Sequence, residues 1–475
     1  MTESRGKLFL MVLATTVASG APAIAATLEV DDSGGAPYST IGAAIAAATP
    51  NVDDVFVHCG LYHENIQMRD GVSVTGAGPP CTVIDGSASG SVVTAIAIGS
   101  LTVLEGLTIR NGSAERGGGI FVEDSSLRIR GNVIESNTAS FYGGGIHITR
   151  GYYFDVSVIA GNVIRGNYSD DFGGGIGAVQ TYVPSPGFMA TIMNNLIEHN
   201  TARRIGGGID VDSEATVEII NNTIVRNCLQ GAEAACTLGG GGVNVPGGTL
   251  AYNNLIAWNE SGPGQEAGVR TVCAGGLDFR NNNLFGNQPV DCSVWCPPGT
   301  LMNIYVDPLL VGESSNPAGY QPRSDSPLVD AGTATLAPAV DVRGVPRPLD
   351  GRADGTPLHD IGARENEGIT RLAFTSPTSI GFDLSVNSAA TFNLYRGDLQ
   401  FLRSTGEYTQ DTSTLPGARR WCGLNPAEIP VTDADSLSVG ETRFYLAVVN
   451  DVVEGTLGYD GTPAERPFTD PNRCP

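Results

Sequence analysis

Lysine is almost missing from this chain: Lys7 is the only one in 475 residues, so chemistry that needs a lysine amine downstream of Lys7 is excluded. Positive charge as a whole is scarce, with 27 Lys+Arg against 50 Asp+Glu and a net charge of -23. Such a balance argues against nucleic acid or an anionic membrane as partner. A polyanionic substrate needs bridging divalent cations to approach it. Long amphipathic stretches of helical period are also lacking, which excludes the helical repeat architectures. After the first 25 residues no apolar run is long enough to cross a bilayer, so no transmembrane segment is expected.

What the chain has in abundance is glycine, 63 residues of it, and a repeated asparagine phrase. Six times an Asn, a short apolar core and a second Asn recur: Asn132–Asn137, Asn162–Asn167, Asn195–Asn200, Asn222–Asn227, Asn254–Asn259 and Asn282–Asn287. Out of phase with it runs a Gly-Gly-Gly phrase ending at Ile120, Ile146, Ile176, Ile209 and Val243, at intervals of 26 to 34 residues. Strand-sized apolar runs at that period, punctuated by Gly and Asn, predict a right-handed parallel β-helix. Its coils would stack about 4.8 Å apart, so that equivalent residues form columns. Stacked Asn amides would hydrogen-bond along the axis, with Asn supplying left-handed backbone at a corner. Ile134, Ile164, Ile197, Ile224 and Ile256 would fill the interior, and Glu135, Arg165 and Glu198 would form a surface charge ladder. The glycines before Ile120 and its equivalents would supply positive φ at a tight bend.

At the N-terminus, Arg5 and Lys7, the apolar run Leu8 to Val12 and Ala23-Ile24-Ala25 read as a signal peptide over 1–25. The product is then expected outside the cytoplasm: extracellular, periplasmic or on the cell surface, and a monomer. Nine cysteines in an exported chain point to disulfides. The spacing suggests Cys59 with Cys81 across neighbouring coils, Cys228 with Cys236 around an insertion, and Cys422 with Cys474 in the last domain; Cys273, Cys292 and Cys296 leave one odd thiol. A zinc site at Cys292 and Cys296 is the weaker alternative, because no matched second pair or nearby His accompanies it.

Residues 26–105 are expected to hold a cap and the first coils, 106–300 the regular repeats, 301–367 a closing segment and 368–475 a small β-sandwich. Tyr38 to Ala48, then Asp54 to Ile66, then Val72 to Gly78 and Thr82 to Gly86 resemble the N-terminal coils of pectin-lyase-like β-helix proteins, pectinesterases included. The likeness implies a capping helix over the first coil. The Pro- and Asp-rich run Asp307 to Val311, Tyr320 to Gly332, Asp341 to Arg347 and Asp360 to Glu365 resembles the closing segment of exported choice-of-anchor β-helix proteins, where it finishes the helix. Asp341, Asp350, Asp354 and Asp360 in it read as turn formers ahead of calcium ligands. Thr391 to Gly397 and Phe444 to Asn450 resemble two strands of a fibronectin type III module, with Phe382 where that family commonly has Trp. Arg396-Gly397-Asp398 spells an integrin-type tripeptide at a strand end, which argues against an adhesive role.

Alternation along the strands that follow the glycines projects Glu123, His147, Asp210, Asp212 and Asn244 onto one outer face, expected to meet solvent. His147 and Asp210 lie two coils, about 10 Å, apart, too far for a nucleophile-and-base pair. Asp170 and Asp171 precede one glycine turn and Arg203 and Arg204 the next. Acid and base on one rim suit calcium plus a sugar carboxylate, or a plain surface ion pair. Tyr182, with Phe141, Tyr142, Tyr152, Tyr153 and Phe172, suits a sugar-stacking wall. The closely spaced Asp pairs of polygalacturonases and the downstream motifs of pectinesterases are missing. The repeats are also similar to those of polymorphic outer-membrane adhesins, but no barrel pattern follows them. The expected function is binding of an extracellular polysaccharide or cell-envelope partner without catalysis. The alternative is a calcium-assisted polysaccharide lyase, or a glycoside hydrolase using Asp210, Asp212, Glu123 and Arg203.

Overall fold

The computed structural model describes residues 26–366 apart from the stretches 100–101, 151–155, 182–188, 213–214, 231–238, 262–267, 273–276, 293–300, 312–318, 324, 350 and 352–355. It also describes the strands Arg371–Ser376, Ser379–Asp383, Thr391–Asp398, Arg419–Leu424, Val431–Thr432 and Arg443–Asn450. Residues 27–285 form a parallel β-helix whose coils contribute in turn to a ten-stranded, a nine-stranded and an eight-stranded sheet. A five-stranded sheet is inserted between the nine- and eight-stranded ones. In the coil of Asn132 these are Arg128–Arg130, Val133–Glu135, Thr138–Tyr142 and Ile146–Arg150. Every strand pairs in parallel with the same strand of the next coil, for example Val133 with Val163 and Ile134 with Ile164. The expected isoleucine column is wholly buried, and Ile84, Ile109 and Leu284 extend it at both ends.

Two ladders of buried asparagine hold the corners on either side of the nine-stranded sheet. In each, one Oδ1 accepts both the backbone N–H and the side-chain Nδ2 of the Asn one coil earlier: Asn195 takes Asn162 at 2.9 and 3.1 Å. The Nδ2 of each also donates to a main-chain carbonyl of the preceding coil, as Asn195 does to Ile159. The first ladder runs past the expected end of the repeats, because Asn303 accepts from Asn282 as a seventh rung. The second stops at Asp291, whose Oδ1 accepts from both nitrogens of Asn287. The left-handed backbone is not at the ladder residues. It falls one position earlier, at Gly131, Gly161, Asn194, Asn221, Asn253 and Asn281 in one column and at Ser136, Gly166, His199, Arg226, Trp258 and Gly286 in the other. A positive φ there turns the chain, so the following Asn points inward and reaches its neighbour.

The helix Ile41–Ala47 closes the top of the helix with Ile41, Ala44 and Ile45 buried. Both Glu64 oxygens accept from its first amides, Ile41 at 2.8 Å and Gly42 at 3.0 Å, and so act as a cap supplied from the coil below. Cys59 and Cys81 are bonded, as the spacing suggested. Cys228 corrects the second expected pair, since it is a free thiol whose Sγ donates to the Leu229 carbonyl; Cys236 lies outside the described residues. Cys292 is disulfide-bonded, which removes it as a zinc ligand. Cys422 falls in the strand Arg419–Leu424, and Cys474 lies outside the described residues.

The Pro- and Asp-rich segment does not stack on the last coil. In its described residues, from Tyr320 through Asn366, it climbs back along the outer face of the nine-stranded sheet as a strap. Tyr320, Leu328 and Ile361 bury against Leu196, Val225, Leu255 and Ala257 of that sheet. The left-handed Asn column fastens it, with Asn281 donating to Ala331, Asn253 to Thr333, Asn221 to Asp360 and Gly362, and Asn194 to Val340. Glu198 is therefore not a surface charge: the strap buries it, and it accepts from the Tyr320 hydroxyl at 3.0 Å. Inside the strap Arg347 and Glu365 pair at 2.8 Å with both side chains fully buried. Asp341 accepts from the amides of Arg343, Val345 and Glu365, and Asp360 from those of Asp330 and Asn366, which is the work of turn formers; Asp350 and Asp354 lie outside the described residues.

The last strands form two antiparallel three-stranded sheets. Taken in chain order, strands one, two and five make one sheet, and four, three and six the other. Arg396 is fully buried and Gly397 and Asp398 pair with Phe444 and Arg443, so the tripeptide is part of a strand and not an adhesive loop.

Replacing Asn200 with Ala leaves the backbone N–H and the side-chain Nδ2 of Asn167 without their shared acceptor in the interior, and should cost on the order of 3 kcal/mol or more. Asn194→Gly keeps the left-handed turn and loses one hydrogen bond to the strap, a cost of about 1 kcal/mol. Denaturant midpoints of the two variants should rank in that order; equal shifts would count against the ladder as the dominant fastening.

Candidate functional site

The first glycine of each Gly-Gly-Gly phrase, Gly117, Gly143, Gly173, Gly206 and Gly240, has positive φ, as the sequence required. The turn folds the chain back against the strand that follows. A Cβ added at Gly206 would stand 2.6 Å from the Asp210 Cβ, and one at Gly143 would stand 2.9 Å from the His147 Cα. Only glycine permits so close an approach. The result is a re-entrant corner between the five-stranded and eight-stranded sheets. Along its floor the register stacks Phe121, His147, Gly177, Asp210, Asn244 and Arg270. On its wall Tyr142, Phe172 and Ile205 are aligned on successive coils.

The expectation that this face meets solvent is corrected here: His147, Asp210 and Asn244 do point away from the interior, but they are 0%, 3% and 4% exposed. The glycine bend and the wall of the corner cover them. His147 lies between rings, stacked on Phe121 at 5.8 Å and on Tyr142 at 5.4 Å. Neither ring nitrogen has a hydrogen-bond partner among the described residues. Burial, reinforced by the Arg116 charge, pushes its pKa down to about 3, so the ring is neutral at physiological pH. Its part is that of an aromatic packing element.

Asp210 behaves in the opposite sense. Burial raises its pKa to about 7, and the charges of Asp212 and Asp171 add to the rise, while the hydrogen bond from Asn244 and the Arg270 charge oppose it. Asn244 Nδ2 donates to Asp210 Oδ1 at 2.7 Å, and Arg270 donates to Asn244 Oδ1 at 2.9 Å. Asp210 is thereby oriented by a relay that ends in a cation. The half-buried Tyr142 hydroxyl is pushed up to about 12, by burial first and then by Asp212, Asp210 and Asp171. It remains a hydrogen-bond donor facing three carboxylates.

Of the other candidates, Arg204 pairs with Asp171 at 3.0 Å and lies over the Phe172 ring at 5.7 Å, the surface ion pair weighed above. Asp170 accepts from the Tyr168 hydroxyl at 2.8 Å, and Arg203 is exposed. Glu123 sits three coils from Asp210, about 14 Å away, so Glu123, Asp210, Asp212 and Arg203 do not converge. Among the described residues no group of three or more His, Cys, Asp or Glu side chains is arranged to hold a metal ion. Tyr182, Tyr152 and Tyr153 lie outside the described residues. Sequence reasoning did not find Arg270, because its coil lacks the Gly-Gly-Gly phrase that marks the register; the signal available was Gly268-Val269 one coil after Val243.

A carboxyl whose folded-state pKa is raised contributes stability in full below its ordinary value near 3.8, and this is lost as pH rises through 7. Asp210→Asn, a neutral isostere, should escape that loss. The wild type should therefore fall behind the variant between pH 4 and pH 8 by up to about 4 kcal/mol, read from denaturation midpoints. Parallel pH profiles would show Asp210 ionised at neutral pH.

Residues 70–284 match the family model described as "Right handed beta helix region". No curated protein matches the chain in sequence. Among solved structures it is similar to pectate lyase Pel9A, at 15% identity over 73% of this chain and 97% of the other, with a TM-score of 0.43. It is also similar to pectin methylesterase PemA from Erwinia chrysanthemi (14% identity, 56% of this chain and 80% of the other, TM-score 0.32). The Azotobacter vinelandii mannuronan C-5 epimerase AlgE6 A-module gives 18% identity over 56% of this chain and 94% of the other, with a TM-score of 0.25. The fold of residues 70–284 is that of a right-handed parallel β-helix.

Proposed function

We propose that this is an exported β-helix protein that binds an extracellular polysaccharide or cell-envelope glycan at the corner between the five- and eight-stranded sheets, without turning it over. The observation that carries this is the stack of Tyr142 on Phe172, at 5.0 Å and 22°, half-buried beside Asp171, Asp210 and Asp212. Stacked aromatic faces next to fixed polar groups suit a sugar ring, whose CH face packs on the aromatic while its hydroxyls bond at the edge. Glu123 and Arg203 stand apart from Asp210, so the four groups proposed for catalysis do not converge. The disulfide Cys59–Cys81 supports an oxidising compartment. Among the described residues no helix is long and apolar enough to cross a membrane. The strand order of the C-terminal sheets supports a fibronectin type III-like module carried by the helix.

A second reading has its own observation. Asp210, with a pKa of about 7, is poised as a general acid or base, and calcium held by Asp171 or Asp170 would draw in an acidic sugar, as in a polysaccharide lyase or hydrolase. The test is retention of the protein on columns of acidic and neutral polysaccharides, run beside assays for unsaturated products and new reducing ends, with and without calcium. Binding predicts retention on one glycan, a loss of affinity of tenfold or more in Tyr142→Ala, and no product. Product release abolished by Asp210→Asn would replace the binding reading with the catalytic one.

A further inference from the structure

The strap covers only the lower coils of the nine-stranded sheet. Above it, against Tyr320, Val342 and Ala363, a groove of about 690 Å³ runs up the open coils toward Pro79 and Pro80. Its floor is the outward column Val83, Thr108, Val133, Val163 and Leu196, in register over four coil steps, about 19 Å. That is the length of about six extended residues.

Two observations mark it as a site. The left-handed column beside it changes residue type where the strap ends. Covered coils carry Asn194, Asn221, Asn253 and Asn281, each bonded to the strap, whereas open coils carry Gly106, Gly131 and Gly161 with the same positive φ. At Gly106 a Cβ would stand 2.7 Å from the Gly76 carbonyl oxygen, so glycine is required there, but crowding does not require the other two: a Cβ at Gly131 would meet nothing within 4 Å, and one at Gly161 only the Gly131 nitrogen at 3.9 Å. Their effect is to leave backbone open to close approach. The second observation is charge. On a chain of net -23, the charged lining is Arg110, Arg165, Arg343 and Arg364 against Glu135, while Asp85 and Asp341, outside the lining, pair with Arg110 and Arg343. Arg110 engages Asp85 through Nε at 3.0 Å, Arg165 engages Glu135 through Nε and Nη2, and both side chains line the groove. Their side chains are 35% and 34% exposed.

We propose that this groove docks an extended acidic polypeptide segment of a partner protein, lying along the sheet as a continuation of the strap. The face already holds polypeptide: the strap occupies the adjoining coils, bonded through its carbonyls. An apolar column flanked by arginines two coils apart accepts a segment in which apolar and acidic side chains alternate. The pairing is electrostatic at its edges and apolar along its floor, so binding weakens with salt.

The test is fluorescence anisotropy of a labelled octapeptide of alternating valine and aspartate, titrated with the full chain at 50 mM NaCl. A valine–lysine peptide and an acidic hexasaccharide are run beside it. Saturable binding of the aspartate peptide alone is expected. The double variant Arg110→Gln, Arg165→Gln should raise Kd at least tenfold, and Glu135→Gln should lower it severalfold. Gly161→Asn, which keeps the left-handed turn and fills the groove, should abolish binding. Unchanged denaturation midpoints certify that each variant folds, and the opposite sign expected of Glu135→Gln separates groove effects from loss of structure. Tyr142→Ala should leave peptide binding unchanged, so the outcome is independent of the glycan reading. Absence of saturable peptide binding, binding indifferent to these variants, or arginine-dependent capture of the hexasaccharide in place of the peptide would overturn the proposal.

Discussion

The structure depends on one buried interaction, the amide-to-amide hydrogen bond between asparagines of successive coils. Each ladder Asn satisfies a backbone N–H and a side-chain N–H that would otherwise lie unpaired at a corner with no water to serve them, and its own Nδ2 adds a second donor to a carbonyl of the preceding coil. Because the acceptor is always one coil on, the bond fixes the register of all the sheets at once. A one-residue slip would break two ladders and turn every interior isoleucine outward. The constraint propagates outward: with the register fixed, residues chosen at equivalent positions become columns, and columns become surfaces.

Three surfaces follow from three uses of left-handed backbone. Before the ladder residues, Asn in the lower coils reaches out to bind the strap, and Gly in the upper coils leaves the sheet open. Before the eight-stranded sheet, the glycine bend folds the chain over its own next strand and makes the corner that covers His147 and Asp210. The same conformational permission thus produces a clasp, a groove and a buried polar floor. Charge reinforces the division. Acidic groups gather around Tyr142 in the corner, while the arginines line the opposite groove, although the chain as a whole is strongly acidic.

Much of this was legible in the sequence, and the reasons for the rest are physical. The coil, the interior column and the bond between Cys59 and Cys81 follow from period and spacing, because stacking makes local pattern into long-range structure, and the capping helix follows from the resemblance of the N-terminal coils to pectin-lyase-like β-helix proteins. Alternation placed His147 and Asp210 on the correct side of their strand. It could not say that the face is covered, since cover comes from a bend four residues away in sequence and from neighbouring coils. Glu198 was misread for a similar reason: the strap that buries it arrives from Tyr320, far along the chain. Cys228 looked paired on spacing alone, and spacing carries no information on the direction of the Cβ vectors that a disulfide needs. The Asn303 rung escaped notice because its coil has no second Asn to complete the phrase; Asp291 ends the other ladder instead.

A glycan bound in the corner would lie against Tyr142 and Phe172, over a register held by the ladders. Hydrogen–deuterium exchange, with and without the glycan on which the protein is retained, tests it most directly. Added protection is expected at 138–148 and 168–177 alone, with the ladder amides slow to exchange in both states. Protection appearing elsewhere on the helix, or none at all, would contradict it.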